Sequence, residues 1–160
     1  MKKPAYLFVC GQNLYRSPAA EEWLVQYCKD HSLDAEVQSA GIKPWGRING
    51  RGVQLETNHI ERADQIFVME EYMKTFILEN YCVEALTGEE AVSSKIVVLD
   101  IPDKFDSVDQ THQWFSYEDA LAAVHSGKTF GPAAFYKVLE EKVGPSLQRD
   151  VKRAAMPGPD

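Results

Sequence analysis

The sequence predicts a doubly wound α/β protein: a mainly parallel four-stranded sheet, order 2-1-3-4, with helices on both faces. Three observations predict it. Short, continuous apolar runs at 6–9, 66–69 and 96–99 suit central parallel strands buried on both faces. Between them lie segments whose apolar residues recur at helical spacing. Strand and helix signals alternate along the chain, as they do where a parallel sheet is built through crossovers.

The first strand runs into Cys10. A helix follows Arg16, with Ser17 expected as its N-cap, Pro18 at its first position, and Ala19, Ala20, Trp23, Leu24, Tyr27 and Cys28 on its apolar stripe. The segment 36–40 mixes polar and apolar positions and is expected at a sheet edge. A weaker helix is expected over 53–62. After the third strand, Tyr72, Met73, Phe76, Ile77 and Tyr81 form another stripe, with Asn80 as a stop signal. Beyond the fourth strand, 117–124 and 132–143 read as helices, the second with Phe135, Val138, Leu139 and the stem of Lys142 on one face. Residues 153–160, with two prolines, a glycine and little to bury, read as a frayed tail after a single domain over 1–152.

The 160 residues are 44% hydrophobic and 26% charged, the balance of an ordinary globular protein with one core. A net charge of -7 argues against a nucleic-acid surface. The apolar run at 5–9 is too short for a signal core or a membrane span, so a soluble, cytoplasmic protein with no membrane partner is expected. Cys10, Cys28 and Cys82 cannot all pair and fit no zinc spacing, which favours a reducing compartment. His31, His59, His112 and His125 show no ligand spacing either, and neither metal nor cofactor is expected.

The chemistry concentrates in Cys10-Gly11-Gln12-Asn13-Leu14-Tyr15-Arg16-Ser17-Pro18. A loop of five residues between a cysteine and an arginine, set between strand and helix, can curl so that successive backbone N–H groups from Gly11 to Ser17 converge on one point. The following helix directs its positive end there too. A tetrahedral dianion fits that concavity. Arg16 would close it with a planar fork that binds two phosphate oxygens, a geometry lysine lacks. The same positive surroundings, with a hydrogen bond from the Ser17 hydroxyl, favour the thiolate of Cys10 and make it the candidate nucleophile. Cys28 belongs to a core stripe, and Cys82 follows a helix end.

Strand-Cys-x5-Arg-Ser-Pro near the amino terminus resembles the signature of the low-molecular-weight protein tyrosine phosphatases. Asn13 resembles that family's loop asparagine, which braces the cradle. Ser39-Ala40-Gly41 followed by Trp45 resembles its segment after the second strand, where an aromatic residue lines the substrate cleft. The run 63–70 resembles its third strand, and Ile101-Pro102-Asp103-Lys104-Phe105 its acid loop. The fuller Leu99-Asp100-Ile101-Pro102-Asp103 resembles a compact bacterial subgroup. The likeness covers about residues 5–110, and 106–130 looks like an insertion or a divergent segment. Lys104 stands where the family has a stiffening proline, and Tyr15 where many relatives carry a second, protective cysteine.

The resemblance implies a cysteine-dependent phosphatase that hydrolyses phosphate monoesters through a phosphocysteine. Its substrate would be a phosphorylated protein, with phosphotyrosine leading, or a small aryl phosphate. Such chemistry needs a carboxylic acid to protonate the leaving oxygen. Asp103 is the expected acid, in competition with Asp100, Asp106 and Asp109. Trp45 and Phe105 are expected to wall the cleft for an aryl group. Two alternatives stand beside this one. A thioredoxin-coupled arsenate reductase would need further cysteines to carry a disulfide away, and a phosphate- or phosphopeptide-binding module would keep the cradle without turnover.

Overall fold

The computed structural model describes residues 3–44, 46, 51–81, 89–101 and 133–156. The first strand, β1 (Ala5–Cys10), is buried along its whole length, as a strand covered on both faces must be. It pairs in parallel with β2 (Glu36–Gly41) on one side and with β3 (Gln65–Val68) on the other. β4 (Ile96–Val98) then pairs in parallel with β3, which gives the order β2-β1-β3-β4. The edge position of β2 agrees with its mixed composition, since its first three residues, Glu36, Val37 and Gln38, are only half covered and burial begins at Ser39.

Right-handed crossovers fix the layers. The step from β1 out to β2 runs opposite to the steps leading to β3 and β4. Helix α1 (Arg16–Asp30) therefore covers one face, while α2 (Thr57–Arg62) and α3 (Glu71–Tyr81) cover the other. A short α4 (Glu89–Ser93) precedes β4, and α5 (Ala133–Lys142) and α6 (Gly144–Ala155) close the described chain, with α5 against α1. The core joins Tyr6, Phe8 and Phe67, whose rings stack across β1 and β3, to Leu24 of α1, Ile77 of α3, and Phe135, Leu139 and Leu147 of the last two helices. Among the described residues, no helix is long and apolar enough to cross a membrane.

Several expectations change. Helix α1 starts at Arg16 with Tyr15 as N-cap and no side-chain cap, so Ser17 lies inside the first turn and Pro18 one position further. The weak helix expected from 53 begins only at Thr57. Before it, Gln54 bridges in parallel to Gly41 and extends the edge of the sheet. Tyr72 leaves the core stripe of α3 altogether: Met73 and Ile77 are buried, whereas Tyr72 is 56% exposed. Residues 153–155, expected in a tail, are the last turn of α6. That helix is anchored by fully buried Leu147 and by a hydrogen bond from the Tyr6 hydroxyl to Asp150. The expected helix at 117–124 and the segment 106–130 lie outside the described residues.

Candidate active site

The sheet order reverses between β1 and β3, and the carboxyl ends of these strands open onto the crevice where doubly wound folds bind ligands. Cys10 is the last residue of β1 and Arg16 the first of α1, so the intervening loop lies in that crevice. With no side chain capping α1, its orphan first-turn N–H groups and positive dipole end are left available to an anion.

Asn13 holds the loop in shape. Its backbone is left-handed, with φ of 57°, a region that asparagine tolerates better than most residues. This conformation brings the Asn13 backbone N–H to 3.1 Å from Cys10 Sγ. The side chain works on both sides. Oδ1 accepts from the backbone N–H groups of Gly52 and Val53, at 3.1 and 2.9 Å, while Nδ2 donates to Ser17 Oγ and Ser39 Oγ, each at 2.9 Å. Because Ser17 Oγ accepts from Asn13, its own hydrogen is free for Cys10 Sγ, 2.9 Å away. Two donors thus point at the sulfur of Cys10, a residue that is 3% exposed.

Ser39 passes its hydrogen on to Glu21 Oε2 at 2.6 Å. Burial pushes the Glu21 carboxyl above the usual carboxylate range, against the Ser39 hydrogen bond, with neighbouring Glu22 adding to the rise. Behind this chain of hydrogen bonds lies a cavity of about 660 Å³ bordered by Asn13, Glu21, Ser39, Arg51 and His59, and neither Cys10 nor Arg16 lines it. Gly41 explains how tightly loop and sheet fit. A side-chain carbon placed there would stand 2.7 Å from Gln12 C and 2.8 Å from Asn13 N, both backbone atoms that cannot give way cheaply.

Arg16 is 6% exposed, and its Nη1 donates to Glu70 Oε2 at 2.8 Å and to the Ile101 carbonyl at 2.6 Å. Glu70 follows β3 and Ile101 follows β4, so the neighbouring strand ends aim the guanidinium across the loop. Tyr72, on the first turn of α3, comes up to the same loop: its hydroxyl stands 3.8 Å from where a side-chain carbon on Gly11 would lie. Partial burial and then Glu70 raise the Tyr72 phenol, while Arg16 opposes them.

The structure therefore brings together Cys10, Gly11, Asn13, Arg16 and Ser17. Gln12, Leu14 and Tyr15 complete the loop as half-covered residues between them. Asp103, Trp45 and Phe105 lie outside the described residues. Asp100, the rival acid, is described: it is exposed, takes a left-handed φ of 54°, and has a carboxylate 3.5 Å from Lys142 Nζ. Cys28 is buried, and its thiol is pushed up to about 11 by that burial. Sequence reasoning missed Glu70, Tyr72 and Glu21. The run 63–70 carried the only signal for Glu70, and none marked Tyr72 as anything but a stripe residue.

A doubly wound fold with a cysteine and an arginine on the loop after its first strand supports a class, the cysteine-based phosphatases. Residues 5–61 match the sequence model of the family described as low molecular weight phosphotyrosine protein phosphatase. No curated protein matches the chain in sequence. Among solved structures, YfkJ from Bacillus subtilis superposes with a TM-score of 0.60 at 19% identity, over 94% of this chain and 98% of its own. A YwlE mutant from Bacillus subtilis gives 0.59 at 17% identity, over 91% and 99%. Wzb from Vibrio vulnificus, solved in complex with benzylphosphonate, gives 0.57 at 20% identity, over 92% and 99%. A further YwlE structure is described as an arginine phosphatase, mutated from cysteine to serine, with a phosphorylated active site serine. Likeness at these identities carries the fold.

Proposed function

We propose that this chain hydrolyses phosphate monoesters, phosphotyrosine first among them, through a phosphocysteine on Cys10. The observation that carries the reading is the setting of that sulfur: buried at the end of β1, with the Asn13 N–H at 3.1 Å and the Ser17 hydroxyl at 2.9 Å. The thiolate attacks phosphorus, the S–P bond forms and the P–O bond to the leaving group breaks. Backbone N–H groups of residues 11–17 and the Arg16 fork hold the three remaining oxygens as charge spreads over them. Asp103 supplies the proton to the leaving oxygen. Its carboxylate then takes a proton from the water that attacks phosphorus and releases the sulfur. The phosphorylated active site serine of the YwlE mutant supports a covalent step in a protein of this fold. Trp45 and Phe105 would wall an aryl group, and the whole of 1–152 would act as one unit. Burial of Cys28 gives no help to the reductase alternative, which needs a thiol ready to attack.

The test is hydrolysis of a small aryl phosphate across about pH 4 to 8, with Cys10→Ser, Asp103→Ala and Asp100→Ala beside the wild type. Turnover should vanish in Cys10→Ser. It should fall by about 10² to 10⁴ in Asp103→Ala and far less in Asp100→Ala. A wild type that binds phosphate without turnover would leave the binding module in place of the enzyme.

A further inference from the structure

Tyr72 is the sole aromatic residue among the exposed large hydrophobic side chains described, the others being Val25 and Met156. It does not stand in open solvent. Its hydroxyl lies 3.8 Å from where a side-chain carbon on Gly11, the first residue of the loop after Cys10, would stand. The side chain therefore runs from the edge of the loop at Gly11 out to solvent. The backbone of Tyr72 is set by the first turn of α3, two residues after the Glu70 that grips the Arg16 guanidinium. A phosphoryl group seated over Cys10 must leave its organic part projecting out of the opening, and Tyr72 forms one side of that opening.

We propose that Tyr72 is a specificity-determining residue of the cradle, the wall against which the organic group of a bound phosphate ester rests and the reason for a preference for aryl over alkyl esters. This inference rests on the phosphate-cradle reading of Cys10 and Arg16. An aromatic group can stack on, or meet edge-on, a ring whose backbone is already set by α3, so little ordering is lost on contact. A methyl ester has no surface to offer it. The hydroxyl stands by the loop at Gly11, and the ring makes the contact.

The experiment is calorimetric titration of the full chain with benzylphosphonate and with methylphosphonate, which bind without being hydrolysed, in wild type, Tyr72→Ala and Tyr72→Phe. Tyr72→Ala should weaken benzylphosphonate about three- to tenfold and methylphosphonate less than about twofold. Tyr72→Phe should keep more than half of the wild-type preference for benzyl over methyl. Equal losses for both ligands in Tyr72→Ala, or no loss for either, overturn the inference while leaving the cradle intact. A wild type that binds neither phosphonate overturns the cradle and this inference together. The exposed position of Tyr72 keeps the fold out of the comparison, and matching melting curves verify it.

Discussion

Ser17 was legible in its hydrogen bond to Cys10 but misplaced as an N-cap. Its place before a proline and an apolar stripe suggests an N-cap, yet its hydroxyl is engaged with Cys10 and Asn13. A capped helix start would have used donors that an anion site needs, so the local rule fails where function competes with it. Gly41 makes a sharper case. The positions of Gln12 and Asn13 leave no room for a side-chain carbon there, so Gly41→Ala must push the loop backbone away from β2. The variant is expected to lose about 1–3 kcal/mol of stability in urea denaturation. It should also lose up to about a hundredfold in kcat/KM on an aryl phosphate, since small displacements of a cradle are costly. An unchanged kcat/KM would mean the loop is not held as described. Cys10, Asn13, Arg16 and Ser17 could be read from the sequence because they share one short loop. Glu70 reaches Arg16, and Tyr72 the loop at Gly11, from more than fifty positions away, and no local pattern records such a contact.

The elements divide along similar lines. β1 and β3 were visible because burial on both faces demands unbroken apolar runs; β4 has such a run too but lies at the sheet edge, with Val97 and Val98 only half buried. Helix α6 was not, since its buried positions are few and Pro145 reads as a breaker, although proline is well tolerated in a first helical turn. The helix is part of the core all the same. Leu147 is fully buried, and Val143, just before the helix, is buried beside Leu139 and Phe135. Leu147→Ala is therefore expected to cost about 2–5 kcal/mol in urea denaturation, the range of a cavity in a packed core. A cost well below 1 kcal/mol would return α6 to the status of a tail.

At the scale of the whole molecule, the order β2-β1-β3-β4 follows from which strands can afford exposure, and the crevice between β1 and β3 follows from the order. What the sequence left open was how far the loop is merged with the sheet. The amides of Ile42 and Lys43 donate to the carbonyls of Cys10 and Gly11 at 3.0 and 2.8 Å. Gly41 N donates to Val53 at 2.7 Å, and Gly52 N to Asn13 at 2.9 Å. These bonds continue the ladder of β1 and β2 past its end and wrap it around the cradle. Most ligand loops open locally at little cost, and their amide hydrogens exchange with solvent long before the core unfolds. Here the amides of Gly41, Ile42, Lys43 and Gly52 should exchange as slowly as those of β1. Catalytic activity and native circular dichroism should then be lost together at one urea concentration, because the cradle has no separate way to come apart.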